Sequence, residues 1–147
     1  MHSTALLFVV LTLVQGGSPT RSALEGSWAA NFAKSRLHPS FQFQRVTLHI
    51  GLGPGTATLT SELVSQSGQT VRAAETFRTD GTETDGTLSP GVTLFASWVG
   101  PDVLATVARK GGHTVGLITY EISADGRTLT SRSSGTLEQV VVFDRNK

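Results

Sequence analysis

The side chains able to support acid–base or metal chemistry are scattered along the 147-residue chain rather than grouped. The histidines are His2, His38, His49 and His113, and no two of them have the spacing of a metal-binding pair beside an acid. The sequence contains no cysteine, so it offers neither thiolate ligands for zinc nor a thiol nucleophile. We therefore expect no metal site, and a surface or core position for each histidine.

Nucleophilic catalysis has no recognisable motif in this sequence. Ser, His and Asp all occur, but no Gly-x-Ser-x-Gly elbow is present, and a catalytic triad is defined by geometry rather than by residue types. The segment GLGPGT (51–56) has the glycines of a phosphate loop but lacks its Gly-Lys-Ser/Thr ending and the following helix. We interpret it as a hairpin turn, and we expect no enzymatic activity and no cofactor.

Three arginines, Arg72, Arg78 and Arg132, lie in segments that alternate like β-strands. An inward-facing guanidinium there would bind a ligand carboxylate through paired hydrogen bonds. However, Arg72 and Arg78 lie on the face opposite Val71 and Phe77, and Arg132 shares its face with Ser and Thr side chains. We expect all three guanidinium groups to face water.

Glu75 is an exception, because it falls on the same strand face as the apolar Val71 and Phe77. A carboxylate on such a face must be paired, protonated or placed at a hydrated opening of the fold. Glu75 is therefore the best candidate for an internal polar contact, and a position at the end of the fold explains it equally well.

The elements that must position these residues are short β-strands. From Phe41 onward, runs of Val, Thr, Leu and Phe alternate with Gly-containing breaks, as in an all-β meander. The apolar phase changes near Gln44 and Arg45, which predicts a β-bulge. The polar segment 79–91 contains two Asp-Gly pairs and is predicted to hold one short strand or an irregular loop. The remaining strands are predicted at 41–50, 56–63, 70–78, 92–109 as a pair, 114–122, 126–134 and 138–145.

Counted with a first strand at Trp28, the pattern predicts about 8–10 antiparallel strands joined by short hairpin links. Such links favour an up-and-down β-barrel, whose closure removes exposed sheet edges. An open two-layer sandwich is the alternative, since periodicity does not distinguish the two architectures. Sandwiches usually contain a longer crossover, which is not evident in this sequence.

The amino-terminal segment has the pattern of a secretory signal. Its apolar run ALLFVVLTLV (5–14) is too short to span a bilayer, which requires about 20 residues. Small residues follow at 16–18, so we predict a signal peptide at 1–17, a short linker at 18–24 and the barrel at 25–147. The leader has no Lys or Arg, and a buried N-terminal helix or strand is the alternative. Cleavage would leave a periplasmic or extracellular chain with no integral membrane segment.

The charge distribution argues against a nucleic-acid partner. The 12 basic and 11 acidic residues are spread along the chain and leave a net charge of +1. Nucleic-acid binding requires clustered Lys and Arg, and membrane-surface binding lacks the same support. We expect a monomer.

Both ends of the predicted barrel resemble those of a known group of proteins. The residues carrying the first match follow a Gly-x-Trp-x-x-Asn-x-Ala-Lys-Ser pattern: Gly26, Trp28, Asn31, Ala33, Lys34 and Ser35. The second match is a closing hairpin formed by Ser123, Asp125, Gly126, Arg127, Thr128, Leu129 and Thr130, followed by Val142, Phe143, Asp144 and Arg145. This pattern is similar to that of small secreted bacterial lipocalin-like (calycin-type) domain proteins of unknown function. The resemblance implies a lipocalin-like barrel and a bacterial source, implies no reaction, and hardly constrains residues 82–112.

A barrel places its first and last strands side by side, which gives the two matched ends a structural role. We expect Trp28 to plug one end while Arg145 stacks on the indole, a cation–π contact worth about 0.5–2 kcal/mol. Gly26 would allow a close approach at the start of the strand. Asp125 and Gly126 suit the positive φ angles of a hairpin turn.

These observations predict an exported lipocalin-like barrel that binds a small apolar ligand without catalysis, driven by the burial of apolar surface. The predicted lining residues are Phe43, Leu59, Glu75, Phe77, Leu94, Trp98 and Leu117. The alternative is a structural or interaction module of the cell envelope, with a barrel filled by side chains and a functional loop at 80–91. An enzyme is the third hypothesis, and a cluster of Glu75 with an arginine inside a pocket would favour it.

Overall fold

A computed structural model of the chain describes residues 21–147. The predicted signal peptide, 1–17, and the first residues of the predicted linker, 18–20, lie outside the described residues.

No helix within the described range has the length and apolar character needed to cross a bilayer.

Ten antiparallel strands form one sheet, whose spatial order is β4-β3-β2-β1-β10-β9-β8-β7-β6-β5. Two 3₁₀ helices, Arg21–Leu24 and Phe32–Lys34, flank the first strand. The strands are β1 (Gly26–Ala30), β2 (Phe43–Gly53), β3 (Thr56–Ser65), β4 (Thr70–Arg78), β5 (Asp80–Asp85), β6 (Val92–Trp98), β7 (Val103–Lys110), β8 (His113–Ile122), β9 (Thr128–Gly135) and β10 (Gln139–Arg145). The sheet is a meander that curls into a nearly closed barrel, and the predicted up-and-down barrel is confirmed.

The barrel closes between its first and last strands. β1 pairs with β10 in antiparallel register, with Trp28 opposite Arg145 and Ala30 opposite Phe143. At the other end of the order, β4 and β5 are not paired with each other in the described chain. A hydrogen bond from the Arg78 N–H to Thr84 Oγ1 at 3.1 Å joins them instead. The wall of the barrel therefore has its gap between β4 and β5.

The bulge predicted near Gln44 and Arg45 is confirmed. The register of the β2–β3 pair shifts between Phe43 and Arg45. Beyond the shift, Val46, Leu48 and Ile50 are buried in strict alternation, as expected for one strand face that points into the barrel.

The segment 79–91 contains β5, which occupies Asp80–Asp85. Nearly all of this strand is exposed, so it lacks the apolar alternation that would mark it in the sequence. The first half of the segment assigned to a functional loop at 80–91 is therefore a strand, and only residues 86–91 form an irregular connection.

One end of the barrel is filled by side chains. We call it the packed end, and its fully buried residues are Leu24, Trp28, Leu104, Ile122 and Leu129. The Trp28 indole N–H donates to the Leu24 carbonyl oxygen at 3.0 Å. Residues 21–24, placed in the predicted linker, thus form a 3₁₀ helix that contributes a core side chain to this end.

Arg145 covers the Trp28 indole, with its guanidinium carbon 4.1 Å from the ring centroid. The same guanidinium donates hydrogen bonds to the carbonyl oxygens of Glu25 at 3.0 Å, Gly126 at 2.9 Å and Ala23. Gly26 lies beneath it with a φ of 132°. A Cβ at this position would come within 2.8 Å of Arg145 Nη1, so the contact requires glycine.

The β8–β9 turn uses the side chain of Asp125 and the backbone of Gly126. Asp125 Oδ1 accepts hydrogen bonds from the Ser123 hydroxyl at 2.6 Å and from the Arg127 N–H at 3.0 Å. These bonds lower the pKa of the Asp125 carboxyl. Gly126 has a φ of 71°, whereas no described non-glycine residue has a positive φ. The positive φ predicted for both turn residues therefore applies to Gly126 alone.

Candidate functional site

A cavity of about 200 Å³ lies inside the barrel. Its apolar lining is formed by Leu59, Ala73, Phe77, Leu88, Leu94 and Ile118. Its polar lining is formed by Ser61, Glu75, Thr106 and Tyr120. Most of these residues occupy the inward face of their strands, where side chains two positions apart point to the same side.

Leu88 marks the mouth of the cavity. It belongs to the β5–β6 connection and lines the cavity, yet 54% of its surface is exposed. The connection is held to β4 by a hydrogen bond from the Thr87 N–H to Glu75 Oε1 at 2.8 Å. The cavity therefore opens beside the β4–β5 gap, where Glu75 anchors one rim.

Glu75 is the charged residue of the lining, and no cation of residues 21–147 lies beside it. No Lys or Arg of the described chain belongs to the cavity wall. The ion pairs of residues 21–147 join Lys34 to Asp144 and Arg78 to Asp80. Within this range the Glu75 carboxylate is therefore held by a backbone N–H and leaves most of its accepting capacity free.

Tyr120 directs a phenol towards the same space. Its hydroxyl forms no hydrogen bond with any residue of the described chain, and the side chain lines the cavity. Burial, with a further contribution from the negative charge of Glu75, raises the pKa of Tyr120 to about 12. The phenol is therefore neutral at physiological pH and can donate one hydrogen bond into the cavity.

The other polar lining residues differ in what they offer a ligand. The Thr106 hydroxyl donates to the Ile118 carbonyl oxygen at 3.0 Å, so its proton is used within the wall. The Ser61 hydroxyl has no hydrogen-bond partner among residues 21–147 and lines the cavity opposite β8. Ser61, Tyr120 and Glu75 thus form the part of the wall that can bind a polar group.

The structure places four of the predicted lining residues at the cavity: Leu59, Glu75, Phe77 and Leu94. Phe43 instead packs against Phe41, with ring centroids 5.1 Å apart. Trp98 packs against the core near the packed end, and the Arg21 guanidinium lies 5.2 Å from its ring centroid.

Leu117 does not line the cavity, because it is on the outer face of β8. It is 37% exposed and shares its face with Glu121, whereas Ile118 and Tyr120 share the inward face with the buried Ile122. The alternation of Ile118, Tyr120 and Ile122 along the strand is the sequence pattern that could have identified its inward face. Ile118 and Tyr120, rather than the predicted Leu117, line the cavity from β8.

The three strand arginines, Arg72, Arg78 and Arg132, are exposed, as the sequence predicts. Arg78 forms an ion pair with Asp80 at 2.6 Å. Hydrogen bonds from Arg78 and Thr82 hold the pKa of the Asp80 carboxyl far below its usual range. None of these arginines reaches the cavity wall.

Within residues 21–147, no group of three or more His, Asp or Glu side chains is arranged to hold a metal ion. His38, for example, has its Nδ1 2.7 Å from the Ser40 hydroxyl on the surface.

No protein-family model matches the sequence, and no curated protein matches it. Solved structures do match the fold. The Schistosoma mansoni fatty acid binding protein in complex with arachidonic acid is 12% identical, with a TM-score of 0.64 over 87% of this chain and 99% of that protein. The wild-type fluorescent protein UnaG is 19% identical, with a TM-score of 0.62 over 83% and 96%. The zebrafish ileal bile acid-binding protein complexed with cholic acid is 16% identical, with a TM-score of 0.56 over 85% and 100%. The described chain therefore has the fold of the fatty-acid-binding proteins, a ten-stranded calycin-type barrel.

Proposed function

We propose that this chain is a binding protein that encloses a small, largely apolar molecule inside its barrel and does not catalyse a reaction. The observation that carries the proposal is the cavity. Apolar side chains from several strands line it, and it opens beside Leu88. Protein interiors are normally close-packed, so a ligand that fills this space gains van der Waals contacts with the side chains that line it. Removing apolar ligand surface from water supplies the driving force.

The size of the cavity limits the size of the ligand. An apolar cavity of about 150 Å³ holds benzene, and drug-sized sites measure about 300–1,000 Å³. At about 200 Å³, this cavity suits a molecule with one or two rings, or a short chain. The packed end prevents a longer molecule from extending through the barrel.

The structural neighbours support the same class of function. One is a fatty acid binding protein in complex with arachidonic acid, and another is a bile acid-binding protein complexed with cholic acid. Both hold an amphipathic molecule, which supports binding of a small apolar ligand by the present barrel.

Export is a further part of the proposal, and its support is in the sequence. The apolar run at 5–14 followed by small residues at 16–18 is typical of a cleaved secretory signal. We propose a monomer of the periplasm or the extracellular space, from a bacterial source. The intact mass of the protein isolated from its own host tests the export step, because cleavage near Gly16 or Gly17 removes a defined amino-terminal mass.

Native mass spectrometry of the protein from its own host tests the binding function. We expect an excess mass that solvent extraction removes. The matched variants are Ala73→Leu, whose added atoms would enter the cavity, and Ala74→Leu, which adds the same atoms on the exposed outer face of β4.

The proposal requires the excess mass to persist in Ala74→Leu and to disappear in Ala73→Leu. An equal excess in both variants would place the ligand elsewhere. An unliganded mass throughout would favour the structural or interaction module instead.

A further inference from the structure

We infer that the cavity selects small apolar molecules that carry an amine, and that it discriminates against carboxylates. This inference rests on the proposed ligand-binding function and specifies the ligand class of the same site. Its basis is the charge and the free hydrogen-bonding capacity of the cavity wall.

The described part of the chain contributes one acidic side chain and no basic one to the cavity wall. Glu75 lines the cavity, and within residues 21–147 its carboxylate accepts one hydrogen bond, from the N–H of Thr87 at 2.8 Å. A carboxylate has about four lone-pair sites, so this single bond leaves the group able to accept several more. A negative charge at the rim of an apolar cavity, without a counter-ion, favours a cationic ligand group.

The neighbouring arginines are not available to a ligand carboxylate. Arg72 and Arg132 are exposed on the outer faces of β4 and β9. The Arg109 guanidinium lies over the Phe95 ring, 5.0 Å from its centroid, on the exposed side of β7. A ligand carboxylate would therefore enter beside the Glu75 carboxylate with no cation to compensate either charge.

Tyr120 adds a second polar group that the protein leaves without a partner. Its hydroxyl makes no hydrogen bond within the described chain and lines the cavity together with Glu75. An ammonium group has three N–H donors, and the Glu75 carboxylate and the Tyr120 oxygen can accept hydrogen bonds from them. The remaining wall beside them is apolar, with Leu59, Phe77 and Ile118, and suits a hydrocarbon body.

Three probes that share the naphthalene ring system and differ in their polar group test the inference: naphthylethylamine, naphthylethanol and naphthylacetate. Their Kd values are measured by naphthalene fluorescence or calorimetry at neutral pH. The proteins are the wild-type chain, Glu75→Gln and the control Glu83→Gln. Glu83 is an exposed acid on β5, so its variant removes the same charge outside the cavity.

We expect the wild-type chain to bind the amine at least about tenfold more tightly than the acid, because the ammonium forms charge-assisted hydrogen bonds with Glu75 whereas the carboxylate of the acid is repelled by it. Glu75→Gln is expected to bring the two Kd values within about threefold, because the uncharged amide no longer favours a cation. Glu83→Gln should keep the wild-type ratio. Glu75→Asp retains the charge and should retain the preference, which serves as the test if Glu75→Gln does not fold.

Two results would overturn the inference while leaving the proposed function intact. One is binding of the acid as tight as that of the amine. The other is an amine preference that Glu75→Gln leaves unchanged. Binding of none of the three probes to the wild-type chain would contradict both the proposed function and the inference.

Discussion

Arg145 joins three parts of the chain through one guanidinium. It bonds to backbone oxygens in the first 3₁₀ helix and in the β8–β9 turn, and it covers the Trp28 indole at 4.1 Å. The pairing of Trp28 with Arg145 was predictable, because a closed meander must set its first strand beside its last. The bonds to Ala23 and Gly126 were not, because they depend on loop geometry that has no periodic signal in the sequence.

The Arg145→Lys substitution tests this role. We expect it to lower the free energy of unfolding by about 1–3 kcal/mol, because a lysine ammonium cannot reproduce the planar fork that reaches three carbonyl oxygens. The control is Arg132→Lys on an exposed position, which should change stability by less than about 0.5 kcal/mol. Equal effects of the two substitutions in urea denaturation would contradict the role assigned to Arg145.

Tyr120 provides a spectroscopic test of the cavity wall, because it is the one tyrosine in the sequence. Its pKa is raised to about 12, by burial first and by the charge of Glu75 second. The phenolate absorbance of the folded protein should therefore appear near pH 12, rather than near the usual value of about 10. Glu75→Gln should shift this transition to lower pH, and a wild-type transition near pH 10 would show that the phenol faces solvent.

The same shift predicts how stability depends on pH. The folded state keeps the Tyr120 proton to a higher pH than the unfolded chain does, so the unfolded state binds fewer protons between about pH 10 and 12. The contribution of Tyr120 to stability is complete below about pH 10 and is lost as pH rises through this window. Tyr120→Phe should remove this alkaline loss in denaturation curves measured across the range.

The strands show which features of an element can be predicted from sequence. Period-two alternation and Gly-containing turns identify most strands, and the phase change in β2 identifies its bulge. Alternation does not fix which face of β8 points inward, because apolar residues occur on both of its faces, Leu117 outside and Ile118 inside. β5 gave no apolar signal, since it lies at the open edge of the barrel wall and is almost fully exposed.

Paired substitutions on β8 test its orientation. Ile118→Ala should lower the free energy of unfolding by about 2 kcal/mol, because it removes methyl groups from the inner wall. Leu117→Ala should change it by less than about 0.5 kcal/mol, because that side chain lies on the exposed face. The opposite ranking in thermal or urea denaturation would mean that β8 presents its other face to the cavity.

Taken as one barrel, the protein is filled at the end that contains Trp28 and Leu104 and hollow where Glu75 and Tyr120 lie. The closed meander was predictable from the short links between strands. The cavity was not, because an empty interior depends on the sum of side-chain volumes around the barrel rather than on any local pattern. Four lining residues were predicted from strand faces. The six that were missed are Ser61, Ala73, Leu88, Thr106, Ile118 and Tyr120, because alternation identifies a strand face but not which of its positions border an open space.

The measurement that tests binding inside the barrel most directly is an NMR titration with naphthylethanol, read through intermolecular nuclear Overhauser effects. The cavity predicts contacts from the naphthalene protons to the methyl groups of Leu59, Leu94 and Ile118. The outer-face methyl groups of Leu117 are the internal control and should show none. Contacts confined to Leu117 or to other exposed groups would contradict binding inside the barrel, as would a probe that gives no contacts with the protein at saturating concentration.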